Sequence, residues 1–205
     1  MNYDKISLNL LLYYLQNNKI YHKIISKGVS SMNDIEPRTI AKWFIAQNLD
    51  QPANKKEGNI KIQKLLFFSQ LIYMCKNNGK LMYEEEFNAF ENGMVLEKVR
   101  KEYLNSYTKL KIESKNELEL PTEIVETLNI TKEIFGKCSA EELSEMSHEF
   151  DCWQKYFEKS GIKNHYDKKK SIVPYKELEK ELYKVQKVLD AYEISKNTTE
   201  DGEDY

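Results

Sequence analysis

The side chains with the most chemical potential are His148 and Cys152, four residues apart and able to share one face of a helix. A thiolate nucleophile needs a base within hydrogen-bond reach, and imidazole is a suitable one. The same pair could supply half of a zinc site, but structural zinc needs further ligands at short spacings. The remaining histidines, His22 and His165, and the remaining cysteines, Cys75 and Cys138, offer no second pair. His148-Glu149 matches half of the zinc-protease helix motif, yet Cys152 stands where the second histidine belongs. No catalytic residue, metal or cofactor is expected, and an enzyme using Cys152 and His148 is the least favoured alternative. The favoured reading is a buried thiol beside a helix-capping histidine. No serine sits in a Gly-x-Ser-x-Gly elbow, and the 7 glycines are too scattered to cradle a phosphate.

Composition narrows the classes further. With 205 residues, 40% of them apolar, the chain can bury a core. Its 31 Lys+Arg against 33 Asp+Glu leave a net charge of −2, so no broad cationic field attracts nucleic acid. A helix-turn-helix in residues 1–49 would have only Arg38, Lys42 and Gln47 as readers, and two core helices are the better account. The three cysteines are expected to be reduced thiols. The opening residues lack a secretory pattern, and the longest apolar stretch, Leu65 to Cys75, is too short to span a bilayer; the expectation is a cytoplasmic protein.

The elements that must position these residues read as mainly α-helical. Ile6, Leu8, Leu10, Leu11, Leu12 and Leu15 predict a first helix within 6–25, so that residues 1–30 form an N-terminal helical extension. Asn33 or Asp34 is expected to cap a second helix opening at Pro37, with Ile40, Trp43 and Phe44 on one face. Residues 50–59 are expected to be an exposed loop. The stretch 60–77 is apolar on nearly every side, which predicts a buried central helix ended by Asn77-Asn78-Gly79. Asn92-Gly93 is a turn signal, and Val95, Val99, Tyr103 and Tyr107 recur at helical spacing. Leu110, Ile112, Leu118 and Leu120 alternate with charge, predicting a small β-hairpin over about 109–120.

Further helices follow Pro121, Ser139 and Trp153, the second opened by the capping-box pattern Ser139-Ala-Glu-Glu142. From Pro174 a last amphipathic helix, over 173–196, carries Leu178, Leu182, Val185, Leu189 and Tyr192, and 197–205 reads as a disordered acidic tail. Its stripe is too short for a firm coiled coil and is expected to pack on its own domain.

Two segments, taken in order, resemble a known family. The first is Ile60-Lys-Ile-Gln-Lys-Leu-Leu-Phe-Phe-Ser-Gln70, then Gly79-Lys-Leu81, Phe87-Asn-Ala-Phe90, Asn92-Gly93-Met94-Val95 and Tyr103. The second is Gly136-Lys-Cys-Ser139-Ala-Glu-Glu-Leu-Ser-Glu-Met-Ser-His148, with Trp153 beyond it. This order resembles the Panacea antitoxin domain, the SocA-like or GepA-like domain of bacterial mobile elements and phages, over about residues 35–158, within a domain drawn at 31–172. Phe90 stands for the family's Trp, Met94 for its Pro, and Asp151-Cys152 for its Gly-Pro, so the resemblance is to a divergent member.

The resemblance implies a non-enzymatic protein that neutralises a toxin encoded by an adjacent gene through direct contact; one branch of the family instead delivers its toxin to a protease. The alternative is a phage or mobile-element protein that binds a host factor such as a defence nuclease. Gln63, Lys64, Phe90, Gly93, Met94, Val95, His148 and Trp153 fall at family-motif positions. Most are expected to determine the fold. Gln63 and Lys64 are expected on the opening turn of the central helix, facing a groove; partner contact is expected there and on the Phe87–Val95 loop.

Overall fold

The computed structural model describes residues 35–116, 118–161 and 167–200. The helix expected within 6–25 and the caps expected at Asn33 or Asp34 lie outside them. The elements are α1 (Pro37–Ala46), α2 (Lys56–Lys76), β1 (Phe87–Phe90), β2 (Gly93–Val95), α3 (Glu97–Glu113), α4 (Thr122–Phe135), α5 (Ala140–His148), α6 (Asp151–Ser160), β3 (Ile172–Val173), α7 (Tyr175–Glu179) and α8 (Leu182–Glu200). The fold is mainly α, with one small antiparallel sheet in the order β2-β1-β3.

The expected central helix is α2. Its buried residues run from Ile62 to Met74 without a break, and α1, α3, α4, α5 and α8 all pack against it. Phe67 and Phe68 lock it to its surroundings: Phe67 meets Phe87 and Phe150 edge-on at 5.3 and 5.1 Å, and Phe68 stacks on Phe135 at 4.4 Å. Such offset and edge-on pairs add to simple area burial. The helix starts at Lys56, inside the expected loop, and that loop is not wholly exposed. Asp50 is completely buried and accepts hydrogen bonds from the hydroxyls of Tyr103 (3.0 Å) and Tyr107 (2.7 Å). A buried carboxylate persists only where such donors replace its water.

In α1, Pro37 occupies the first turn as expected, but the residue before it, Glu36, makes no side-chain cap. Arg38 is held by Glu102 (2.7 Å) and Glu113 (2.5 Å), Lys42 lies 4.0 Å from Glu113, and Gln47 accepts from Lys132 (2.7 Å). All three would-be base readers are therefore occupied within the fold.

The expected hairpin at 109–120 is not formed. Lys109 to Glu113 are the last residues of α3, Ser114 to Asn116 turn, and Leu118 to Leu120 are neither helix nor strand. The alternation there comes from a helix end, with Leu110 fully buried and Ile112 exposed. The hairpin of this fold lies instead at β1–β2, around Asn92-Gly93, paired Asn88 with Val95, Ala89 with Met94 and Phe90 with Gly93.

The capping box at Ser139 is present in full: its hydroxyl accepts from Glu142 N–H (3.1 Å), and Glu142 Oε2 accepts from Ser139 N–H (2.7 Å). Ser139→Ala should cost about 1 kcal/mol of stability, read as a lower midpoint in urea unfolding with unchanged slope. The expected last helix is broken at Lys180-Glu181 into α7 and α8. Leu178, Val185 and Leu189 join the core, and α8 packs on α2 and runs on to Glu200, past the expected start of the tail; residues 201–205 lie outside the described ones.

Candidate partner-binding site

The eight motif residues gather around the β1–β2 hairpin in two layers. The inner layer fastens the hairpin to α2. Gln63 Oε1 accepts the Leu96 N–H at 2.8 Å, and Lys64 Nζ donates to the Met94 carbonyl at 2.8 Å. Both side chains are buried, Lys64 completely and Gln63 to within 1%. They do not face a groove from the opening turn: α2 begins at Lys56, so both lie inside it, and their hydrogen bonds go to backbone groups that β2 leaves unpaired. Lys64 has no carboxylate partner among the described residues. Burial drives its ammonium well below the usual lysine value, toward the neutral amine.

Gly93 closes this layer. Its φ is +92°, and a Cβ there would overlap the Ser147 hydroxyl and lie 2.7 Å from Lys64 Nζ. The hairpin turn, α2 and the end of α5 thus meet where no side chain fits. Met94 and Val95 are buried beside it.

The outer layer reaches the surface. Trp153 Nε1 donates to the Phe90 carbonyl at 2.9 Å. Its ring stacks on His148 (3.8 Å between centroids, 20° between planes) and on Phe157 (5.2 Å, 12°). The Arg100 guanidinium lies 5.5 Å above the Phe90 ring. His148, Trp153, Phe157 and Phe90 are all partly exposed, forming an aromatic ladder along the hairpin, the end of α5 and the start of α6. The His148 imidazole is pushed below its ordinary value by burial first and by the nearby Lys64 second, against a hydrogen bond to the Glu91 backbone; its Nε2 is buried without a partner among the described residues.

Apart from Phe157, both layers lie within one recognised stretch. Residues 62–154 match the family model of the antitoxin SocA-like, Panacea domain. No curated protein and no solved structure matches the chain. The Panacea match takes in all eight motif residues and ends one residue after Trp153, before β3, α7 and α8.

Within this Panacea-like segment the structure does not pair Cys152 with His148. Cys152 is buried toward α7–α8, where Glu181 accepts the N–H groups of Asp151 and Cys152, each at 2.8 Å. Burial and the Glu181 carboxylate push the thiol up, the reverse of what activates a nucleophile. His148 turns instead onto Trp153 and is the last residue of α5 rather than its cap. Among the described residues no group of three or more His, Cys, Asp or Glu could hold a metal, and no helix is long and apolar enough to cross a membrane.

Two supports of the Panacea-like segment escaped the sequence reading. Glu181 caps α6 from about thirty residues downstream, a tertiary contact with no local signature. Ser147, at the Gly93 contact, is a small polar residue of no evident motif value. Trp153→Phe keeps the stacking but leaves the Phe90 carbonyl without its donor. The expected loss is about 1 kcal/mol, a fall of roughly 2–4 °C in the melting midpoint.

Proposed function

We propose that this chain is an antitoxin: it neutralises the toxin encoded beside it by direct protein–protein contact, acts in the cytoplasm of a bacterial cell, and performs no catalysis. The observation that carries this reading is the family match over 62–154, whose partly exposed motif residues converge on one ladder. The contact surface in this reading is that ladder: Phe90, His148 and Trp153, together with Phe157. Gln63, Lys64, Gly93, Met94 and Val95 serve beneath it as the frame. Large aromatic side chains dominate binding energy where they are well packed at the centre of an interface.

The departures from the family pattern favour a second reading with the same surface. Met94 and Cys152 are buried and alter the interior, whereas Phe90 and Asp151 reach solvent. A partner that touches this face therefore meets a changed edge, which suits a host factor such as a defence nuclease. Co-expression with the product of the adjacent gene separates the two readings. Relief of growth arrest together with co-purification is the result expected of an antitoxin. Relief without a complex would remove direct contact as the mechanism, and the absence of a toxic neighbour would favour the host factor.

A further inference from the structure

The solvent-exposed charges on the α5 side of the aromatic ladder are acidic, whereas on the hairpin side Arg100 lies over Phe90 and is paired with Glu97 at 2.6 Å. On α5 and at its C-cap the residues that share the His148 side and its exposed flank are Glu141, Glu142, Glu145 and Glu149, all exposed. Glu142 is engaged in the capping box. Among the described residues no cation is paired with the side chains of Glu141, Glu145 or Glu149. On α6 the helical period puts Gln154 and Glu158 on the solvent flank of Trp153 and Phe157, hydrogen-bonded to each other at 3.0 Å. The lysines of α6 are on the opposite flank: Lys155 and Lys159 lie over the Tyr156 ring at 5.3 and 5.1 Å.

An electron-rich ladder edged by carboxylates has a definite complement. Trp153 is stacked between His148 and Phe157, so the ring faces left to a cation are those of His148 and Phe157 at the ends of the stack. Such faces attract most strongly a planar guanidinium that can also stack. The carboxylates of Glu141, Glu145 and Glu149 then meet its N–H donors or the cations beside it, in two-pronged geometry where it is arginine. The same carboxylates repel a phosphate backbone, which excludes nucleic acid as the occupant. We infer that the ladder receives an arginine-bearing basic segment of the partner protein, docked at the His148 and Phe157 ends of the stack around Trp153 and steered by the glutamates of α5 and its C-cap. The inference rests on the reading that the partner is held by direct contact at this face. It adds the chemistry of what must be presented there.

The test uses the full-length chain and the purified product of the adjacent gene. Association is measured by calorimetry at low and high salt for wild type, for Glu141→Gln/Glu145→Gln/Glu149→Gln, and for Lys155→Gln/Lys159→Gln. All the substituted side chains are exposed, and melting curves matching wild type establish that each variant is folded. The triple variant should bind about ten to a hundred times more weakly, at roughly 0.5–1 kcal/mol per exposed charge, with a flatter salt dependence. The lysine variant should bind like wild type. A wild-type complex that the triple variant forms equally well overturns the basic-segment inference while leaving direct contact standing. Failure of the wild-type chain to bind at all overturns both.

Discussion

Gly93→Ala is expected to cause the largest loss of stability of any single substitution at the hairpin, about 3–5 kcal/mol from overpacking together with backbone strain. The backbone there has φ +92°, and the added methyl would collide with the Ser147 hydroxyl and sit 2.7 and 2.8 Å from Lys64 Nζ and Cε. Neither neighbour has room to retreat, since Ser147 and Lys64 are both fully buried. Thermal melting should show a fall on the order of 10 °C. Gly79→Ala is the control: its φ is +80°, but the nearest atom to an added Cβ is Glu179 Oε1 at 3.9 Å. That variant bears the backbone term alone, about 1 kcal/mol. A second measurement separates collision from strain. Adding Ser147→Ala to Gly93→Ala should recover part of the loss, with a coupling of about 1 kcal/mol. Equal melting points for the Gly93 and Gly79 variants would show that the packing around Gly93 is not what the geometry implies.

Lys64→Met should remove a pH dependence that wild type carries. Folding buries Lys64 and lowers its value below that of the unfolded chain, about 10.4. Between the two values the unfolded state binds more protons than the folded one, so stability rises with pH. The contribution of Lys64 is therefore least favourable at the acidic end of that window and fully recovered above the unfolded value. Wild type minus Lys64→Met should climb with pH below the unfolded lysine value, by up to about 1.4 kcal/mol per unit. Urea unfolding of both chains at several pH values reads this difference, and titrating groups other than His148, whose value Lys64 also lowers, cancel in the subtraction. Parallel profiles would mean that Lys64 keeps its proton in the folded state. The methionine also deprives the Met94 carbonyl of its donor, which shifts the variant's profile vertically without giving it a slope.

The legible and illegible parts of the fold differ for physical reasons. The α2 helix was evident because a run apolar on every side has few alternatives to burial, and the Ser139 box because its two hydrogen bonds are local in sequence. The hairpin was misplaced because strict alternation, the usual mark of a half-buried strand, is absent from β1 and β2. Their residues are buried on both faces apart from partly exposed Phe90, and the strands are only 4 and 3 residues long. At 109–113 a similar alternation arose where α3 presents Leu110 inward and Ile112 outward before the chain turns. At the site, the resemblance selected residues that the fold does gather together. It did not indicate which way they face. Gln63 and Lys64 look like surface residues in sequence because their type reports polarity and not the backbone groups they satisfy. Phe157 follows Trp153 by one helical turn, but its place in the ladder depends on α5 arriving with His148.

The third strand has a consequence for the order in which the protein is made. Residues 172–173 pair with Phe87 and Asn88, the Asn88 amide donates to Ser171 Oγ at 2.9 Å, and Glu181 caps α6. Every one of these supports for the hairpin and the ladder is encoded after residue 154, where the family match ends. A ribosome that has released the whole motif has therefore not yet delivered the groups that finish its surface. Until residue 173 has emerged one edge of β1 stays open, and until Glu181 follows the first turn of α6 lacks its acceptor, which Lys184 then pairs at 2.7 Å. Chains cut short just after the motif would carry it without the groups that complete the hairpin's sheet and cap α6.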